Sequence, residues 1–155
     1  MSSDGIRCGG PPNVLAVVRN VHSGEERRYL GANIVSTAGD KWYAYKAGGS
    51  SFFTVAGCRL GSGTTTPAKG DTDVTTPISA GSVATDSGYP KVNDDDANNS
   101  AFASANSNTW RFSFGTGIAN AGTIAEGAIA GGTLVAPGTC LTHFLFGTAF
   151  AKTSS

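Results

Sequence analysis

Asn13 to Val21 reads Asn-Val-Leu-Ala-Val-Val-Arg-Asn-Val, a β-branched run that predicts a well-buried strand. His22 to Glu25 supplies a turn, and Arg27 to Val35 returns as the second arm of a hairpin. Ser36 to Asp40 reads as a further turn. Lys41 to Lys46 fits either a strand or one helical turn; on a strand, Tyr43 and Tyr45 share a face and Trp42 takes the other. After a loop at Gly48 to Ser51, Phe52 to Leu60 predicts another strand, with Phe53 and Val55 on one face and Phe52, Cys58 and Leu60 on the other.

The character of the chain changes at Gly61. Gly-Ser-Gly-Thr-Thr-Thr-Pro-Ala-Lys-Gly-Asp-Thr opens a loop that runs to Pro77, and loops of this length are usually functional or packed onto something. Residues 78–92 read as a weak edge strand with turns, and the polar, acidic stretch from Asn93 to Asn108 as the flexible region. Trp110-Arg-Phe-Ser-Phe114 alternates cleanly and predicts the best half-buried strand, with Trp110, Phe112 and Phe114 inward. Thr123 to Ile129 is a small-residue strand punctuated by glycines, and Leu141 to Phe150 alternates again, placing Phe144, Phe146 and Phe150 on one face. Trp110, Phe112, Phe114, Phe144 and Phe146 are therefore the expected core.

Seven or eight strands with turns between them predict an all-β fold: a single antiparallel β-sandwich, jelly-roll or Ig-like, over residues 13–155, with long Gly/Thr-rich loops. Residues 1–12 form an extended N-terminal arm, because Pro11-Pro12 excludes helix there. Length agrees, since 155 residues fill one domain and would starve two of core. Composition agrees as well. Gly, Ser and Thr make up about 35% of the chain, which disfavours a helical bundle.

Charge narrows the partners. Eleven basic residues balance eleven acidic ones, leaving no excess to displace counterions, so nucleic acid is not expected. No apolar run approaches the length that spans a membrane, so no membrane partner is expected either. The balance is uneven along the chain: residues 1–60 carry net +3 and residues 61–155 net −3, which suits copies meeting side by side or head to tail as well as a scattered, solvated surface. The N-terminus has no apolar segment of the secretory kind, and the odd, widely spaced set Cys8, Cys58 and Cys140 argues for free thiols made in a reducing cytosol.

Candidate chemistry is sparse. Asp94, Asp96 and Asn98 open like a calcium loop, but Asn99 stands where Gly is needed and Ala105 where Glu is needed, so an acidic solvated loop is the better reading. His22 and His143 stand alone, and the cysteines lack zinc spacing. Cys140 and His143 are three apart, which on a regular strand puts them on opposite faces and rules out a dyad. Gly61-Ser-Gly63 lacks the Lys-Ser/Thr and the helix start of a phosphate cradle. Among Glu25, Glu26 and Glu126, none is marked out by its surroundings as half of a glycosidase pair. Trp42, Tyr43, Tyr45 and Tyr89 could stack a sugar, though aromatics in a β-protein more often fill the core. No catalytic, cofactor-binding or metal-binding residue, and no cofactor, is assigned.

Three stretches together resemble a group of tailed-bacteriophage virion structural proteins. They are Asn33-Ile-Val-Ser-Thr-Ala-Gly-Asp-Lys41; the loop from Val55 to Thr72, followed by Thr76-Pro-Ile78; and Thr109 to Gly115 with Thr123-Ile-Ala-Glu-Gly127 and Leu141 to Ser155 after it. Their order and spacing, over about residues 26–155, carry the resemblance. It implies a non-enzymatic β-sandwich protein located in the virion after synthesis in the host cytoplasm. Its expected role is a capsid decoration or cement protein that stabilises the assembled shell. Its partners would be the major capsid protein or other virion proteins, and copies of itself. The alternative is a tail, neck or fibre component acting as a host-recognition or glycan-binding module. Proteins of this group continue into one further strand where this sequence ends. Leu141 to Phe150 is accordingly expected beside a sheet edge, covered by another chain or by residues 13–21 of the same subunit.

Overall fold

Asn20 starts the folding logic of the first hairpin. Its side-chain oxygen accepts from the amides of His22 and Ser23, both at 2.9 Å, and Gly24 takes a φ of +72° that few side chains tolerate. This tight turn sets strands β1 (Val14–Arg19) and β2 (Glu26–Val35) in antiparallel register, from Val14 opposite Gly31 to Arg19 opposite Glu26. The computed structural model describes residues 14–92 and 108–154. The N-terminal arm, Cys8, most of the 93–108 stretch and the Asp94–Asp96 loop lie outside the described residues.

Ser36 to Ala47 corrects the sequence reading. The expected turn and strand-or-single-turn together form an eleven-residue helix, α1 (Thr37–Ala47). Ser36 is its N-cap, accepting from the Gly39 amide at 2.9 Å, and the Gly48 amide closes the other end on the Ala44 carbonyl at 3.1 Å. The aromatic residues suggested strand, but both cap residues were present in the sequence and outweigh a weak propensity.

The remaining elements are β3 (Val55–Gly61), β4 (Pro77–Ala84), β5 (Lys91–Val92), β6 (Asn108–Thr109), β7 (Ala121–Gly131) and β8 (Thr139–Lys152). Six of the strands make one antiparallel sheet in the order β1-β2-β8-β7-β3-β4, and β5 pairs with β6 separately. The fold is thus β-rich. The sheet is curled: β1 side chains Val14, Ala16 and Val18 and β4 side chain Ile78 pack against the same cluster, built on Cys58, Leu60, Ile124, Phe144, Phe146 and Phe150. Strands at opposite ends of a flat six-stranded sheet could not share a core. Phe146 stands edge-on to both Phe144 and Phe150, and Tyr29 stacks on Phe150 at 4.3 Å.

Two further expectations are corrected. Trp110 to Phe114 keeps its alternation, with Trp110, Phe112 and Phe114 half-buried and Arg111 and Ser113 exposed, but β6 ends at Thr109 and the segment joins no ladder among the described residues. It is held through Asp86, whose carboxylate accepts from Ser113 N, Ser113 Oγ and Arg111 Nε at 2.7–3.0 Å. Phe112 packs against two hydrophobic clusters, so the alternation records a cover over the sheet rather than a strand within it. Second, Leu141 to Phe150 is not beside an edge. β8 is central, paired with β2 through residues 142–146 and with β7 through residues 139–152. The strand formed by residues 14–19 adds outside β2, not beside β8.

Candidate functional site

Glu126 lies in the middle of β7 with no solvent exposure, and His143 lies on β8 with 1%. An ionised carboxylate in such a place is costly unless every lone pair finds a donor. Glu126 meets that condition. Its Oε1 accepts from the Gly63 amide at 3.0 Å and the Thr76 amide at 2.8 Å; its Oε2 accepts from the Thr75 amide at 3.0 Å and lies 2.9 Å from His143 Nε2. The other ring nitrogen, His143 Nδ1, lies 2.6 Å from Asp71 Oδ2. Each ring nitrogen can donate to its carboxylate only when the ring carries both protons.

The three backbone amides that donate to Glu126 all come from the Gly/Thr loop between β3 and β4. Gly61 and Gly63 are required here, because a Cβ at either position would collide with Glu126 Oε1. Gly61-Ser-Gly63 therefore belongs to a loop whose backbone amides cradle an anion, and the anion is the chain's own glutamate. Asp71 ties the far end of the loop. It accepts from the Ala68 amide at 2.8 Å, its carbonyl takes the Cys140 thiol at 3.2 Å, and Val74 packs with Ala128 and Cys140. Lys69 adds an exposed contact to Asp40 on α1 at 2.7 Å, and the Lys69 carbonyl accepts the Thr37 amide at 2.7 Å. The Ser36 hydroxyl, wholly buried, donates to the Cys140 carbonyl.

Burial pushes the Glu126 carboxyl upward, but the three loop amides and His143 outweigh it and hold the group below its usual value. Asp71 behaves likewise: burial opposes ionisation, and the Ala68 amide and His143 reverse the balance. Burial raises the Cys58 thiol to about 12 and the Cys140 thiol to about 11. Both are poor nucleophiles in this state.

Cys140 and His143 do reach a common residue, Asp71, contrary to the opposite-face expectation. Between Ile129–Thr142 and Ala130–Cys140 the pairing advances two residues on β8 for one on β7, a bulge that changes the alternation. No bulge could be read from the sequence. Glu126 and His143 were legible in principle, since each is an ionisable residue inside an apolar or small-residue strand, the pattern of a paired buried charge.

The four candidate sugar-stacking aromatics are not one platform. Trp42 is buried, donates to the Phe53 carbonyl at 2.9 Å and packs with Ile129 and Leu141. Tyr89 lies apart, with Arg111 and Lys91 over its ring. Tyr43 and Tyr45 are exposed on α1, and Tyr45 pairs with exposed Phe52 at 5.4 Å, a residue the sequence reading had placed in a strand. Glu25 and Glu26 belong to exposed ion pairs of the first hairpin. A groove of about 520 Å³ opens beside β4, lined by Ile78, Ser82, Leu134, Val135 and Arg59, whose guanidinium is paired with Asp73 at 3.2 Å. Among the described residues no cluster of three or more His, Cys, Asp or Glu is placed to hold a metal ion, and no helix is long and apolar enough to cross a membrane.

Comparison with family models, with curated proteins and with solved structures finds no match.

Proposed function

We propose that the chain is a non-enzymatic structural protein of a bacteriophage virion, a decoration or cement protein that binds the assembled shell. The curled sheet and the covering segment at 110–119 would serve as the two layers of a sandwich-like body. The observation that carries the reading is the convergence on His143. Segments around Ser36, Gly61 to Asp71, Glu126 and His143, all drawn from the stretches on which the resemblance rests, meet in one connected hydrogen-bonded unit, while Thr109 to Gly115 stays outside it. That unit spends its buried charge on fixing a long loop, which favours a rigid body presenting its surface to neighbours over a site that turns over a substrate.

The test is reconstitution on particles that lack the protein. Purified chain should bind the outside of the shell in hundreds of copies and raise the temperature at which the particles release their genome. Failure to bind, or binding without any gain in particle stability, would overturn the decoration role.

A second reading, a host-recognition or glycan-binding module of the tail, is favoured by the exposed Tyr43, Tyr45 and Phe52 beside Lys41. It requires far fewer copies, roughly three to a few dozen by the symmetry of such assemblies.

A further inference from the structure

The two ends of the sheet are built differently. At β4 the edge is interrupted: Ala80 takes a φ of +51°, and its carbonyl accepts the Ala119 amide at 3.1 Å from the covering segment. Pro77, which has no amide hydrogen to offer, begins the strand. At β1 none of these devices is present. Val14-Leu-Ala-Val-Val18 contains no charge, proline, glycine or bulge, pairs with β2 in unbroken register, and has no ladder partner on its other side among the described residues. Unprotected edges of this kind pair with another strand.

The sheet face beside that edge carries exposed apolar side chains as well, with the charges of Arg19, Glu26 and Arg28 at one end of it. Leu15 stands opposite Leu30, and Val17 opposite Arg28, on the face away from the core. Val17 is 37% exposed and Leu30 46% exposed, with Ala32 exposed and Leu145 half-buried next to them. The unpaired backbone and the exposed side chains therefore form one continuous surface.

We infer that the β1 edge is a self-association surface, on which a second copy of this chain adds its own β1 antiparallel to the first. The strand is its own complement. With Ala16 opposite Ala16 at a two-fold axis, Val14 meets Val18 on the core side and Leu15 meets Val17 on the outer side, so every cross-strand partner within 14–18 is apolar. Charge selects this orientation. An antiparallel pair holds the two Arg19 side chains at opposite ends, about 20 Å apart at 3.4 Å per residue, whereas a parallel pair would place them side by side. Because the β4 edge is blunted, the six-stranded sheet offers β1 no second open edge among the described residues, and association closes at a dimer instead of running on as a fibre. The inference goes beyond the virion reading and is tested without particles, so either can fail alone.

Sedimentation of the full chain decides it. At about 100 μM the wild type should show twice the 15.6 kDa monomer mass and should dissociate on dilution. Val17→Lys, a charge on an exposed side chain, should give a folded monomer with an unchanged circular dichroism spectrum, while Val135→Lys beside the β4 groove should leave the dimer intact. A monomeric wild type, or a dimer that survives Val17→Lys, overturns the inference; so does a dimer lost in Val135→Lys alone. Should Val17→Lys not fold, hydrogen exchange of the wild type replaces it. Amides within 14–18 must slow as concentration rises, and rates independent of concentration would mean that the edge is free or covered by its own chain.

Discussion

His143 Nε2 lies 2.9 Å from Glu126 Oε2, and neither side chain reaches solvent. The pair joins adjacent central strands, and through it the loop above the sheet is bonded at Gly63, Asp71, Thr75 and Thr76. A glycine- and threonine-rich loop would otherwise pay a large ordering entropy for little apolar burial. Here charged hydrogen bonds, each stronger than a neutral one, offset that cost.

Glu126→Gln tests the tie directly. The amide keeps the shape but presents an NH2 group where an oxygen now accepts loop amides. Stability should fall by about 3 kcal/mol, as when a buried carboxylate loses its charge-assisted hydrogen bonds. The thermal midpoint should drop by roughly 6–12 °C for a chain of this size. Trypsin should also cut faster after Lys69, since the loop loses its anchor. A midpoint within a degree of wild type would show that Glu126 does not hold the loop.

Acid should release the same tie. Asp71 and Glu126, and Asp86 under the covering segment, ionise at lower pH in the folded chain than in the unfolded one. Their contribution is complete above the unfolded carboxylate range and is lost as pH falls through their folded values. Urea midpoints should stay level, as far as these groups are concerned, from neutral pH down to about 5 and then decline below about 4. In Glu126→Gln the acid decline should be shallower. An equal decline in both proteins would remove Glu126 from the account.

The two described thiols should be silent. With Cys58 and Cys140 buried and raised to about 12 and 11, a thiol reagent at pH 8 should modify neither in the folded protein, and both on denaturation. Carrying out the assay in Cys8→Ser isolates these two residues. Rapid labelling of Cys140 under native conditions would show that the Asp71 loop opens readily.

Gly127 should not accept a side chain. A Cβ there would stand 2.5 Å from the Phe144 ring at the centre of the core. Gly127→Ala should destabilise by about 1–3 kcal/mol through overpacking. Phe112→Ala, in the half-buried cover, should cost about 2–3 kcal/mol, less than a fully buried phenylalanine. Equilibrium unfolding of the two variants gives both values.

Local pattern in the sequence determined the first hairpin, the core phase of Phe144, Phe146 and Phe150, the long loop after Gly61 and the inward side chains of Trp110 to Phe114. Each depends on alternation or turn chemistry within a few residues. The α1 caps at Ser36 and Gly48 were equally local, but aromatic composition masked them. Tertiary structure alone decided the strand order, the central place of β8 and the bulge that lets Cys140 and His143 both reach Asp71. It also decided that Glu126, 50 or more residues from Thr76 and Gly63, is the anion those loop amides enclose. Alternation says which face a side chain takes, but carries no information about which distant strand or loop will lie against that face.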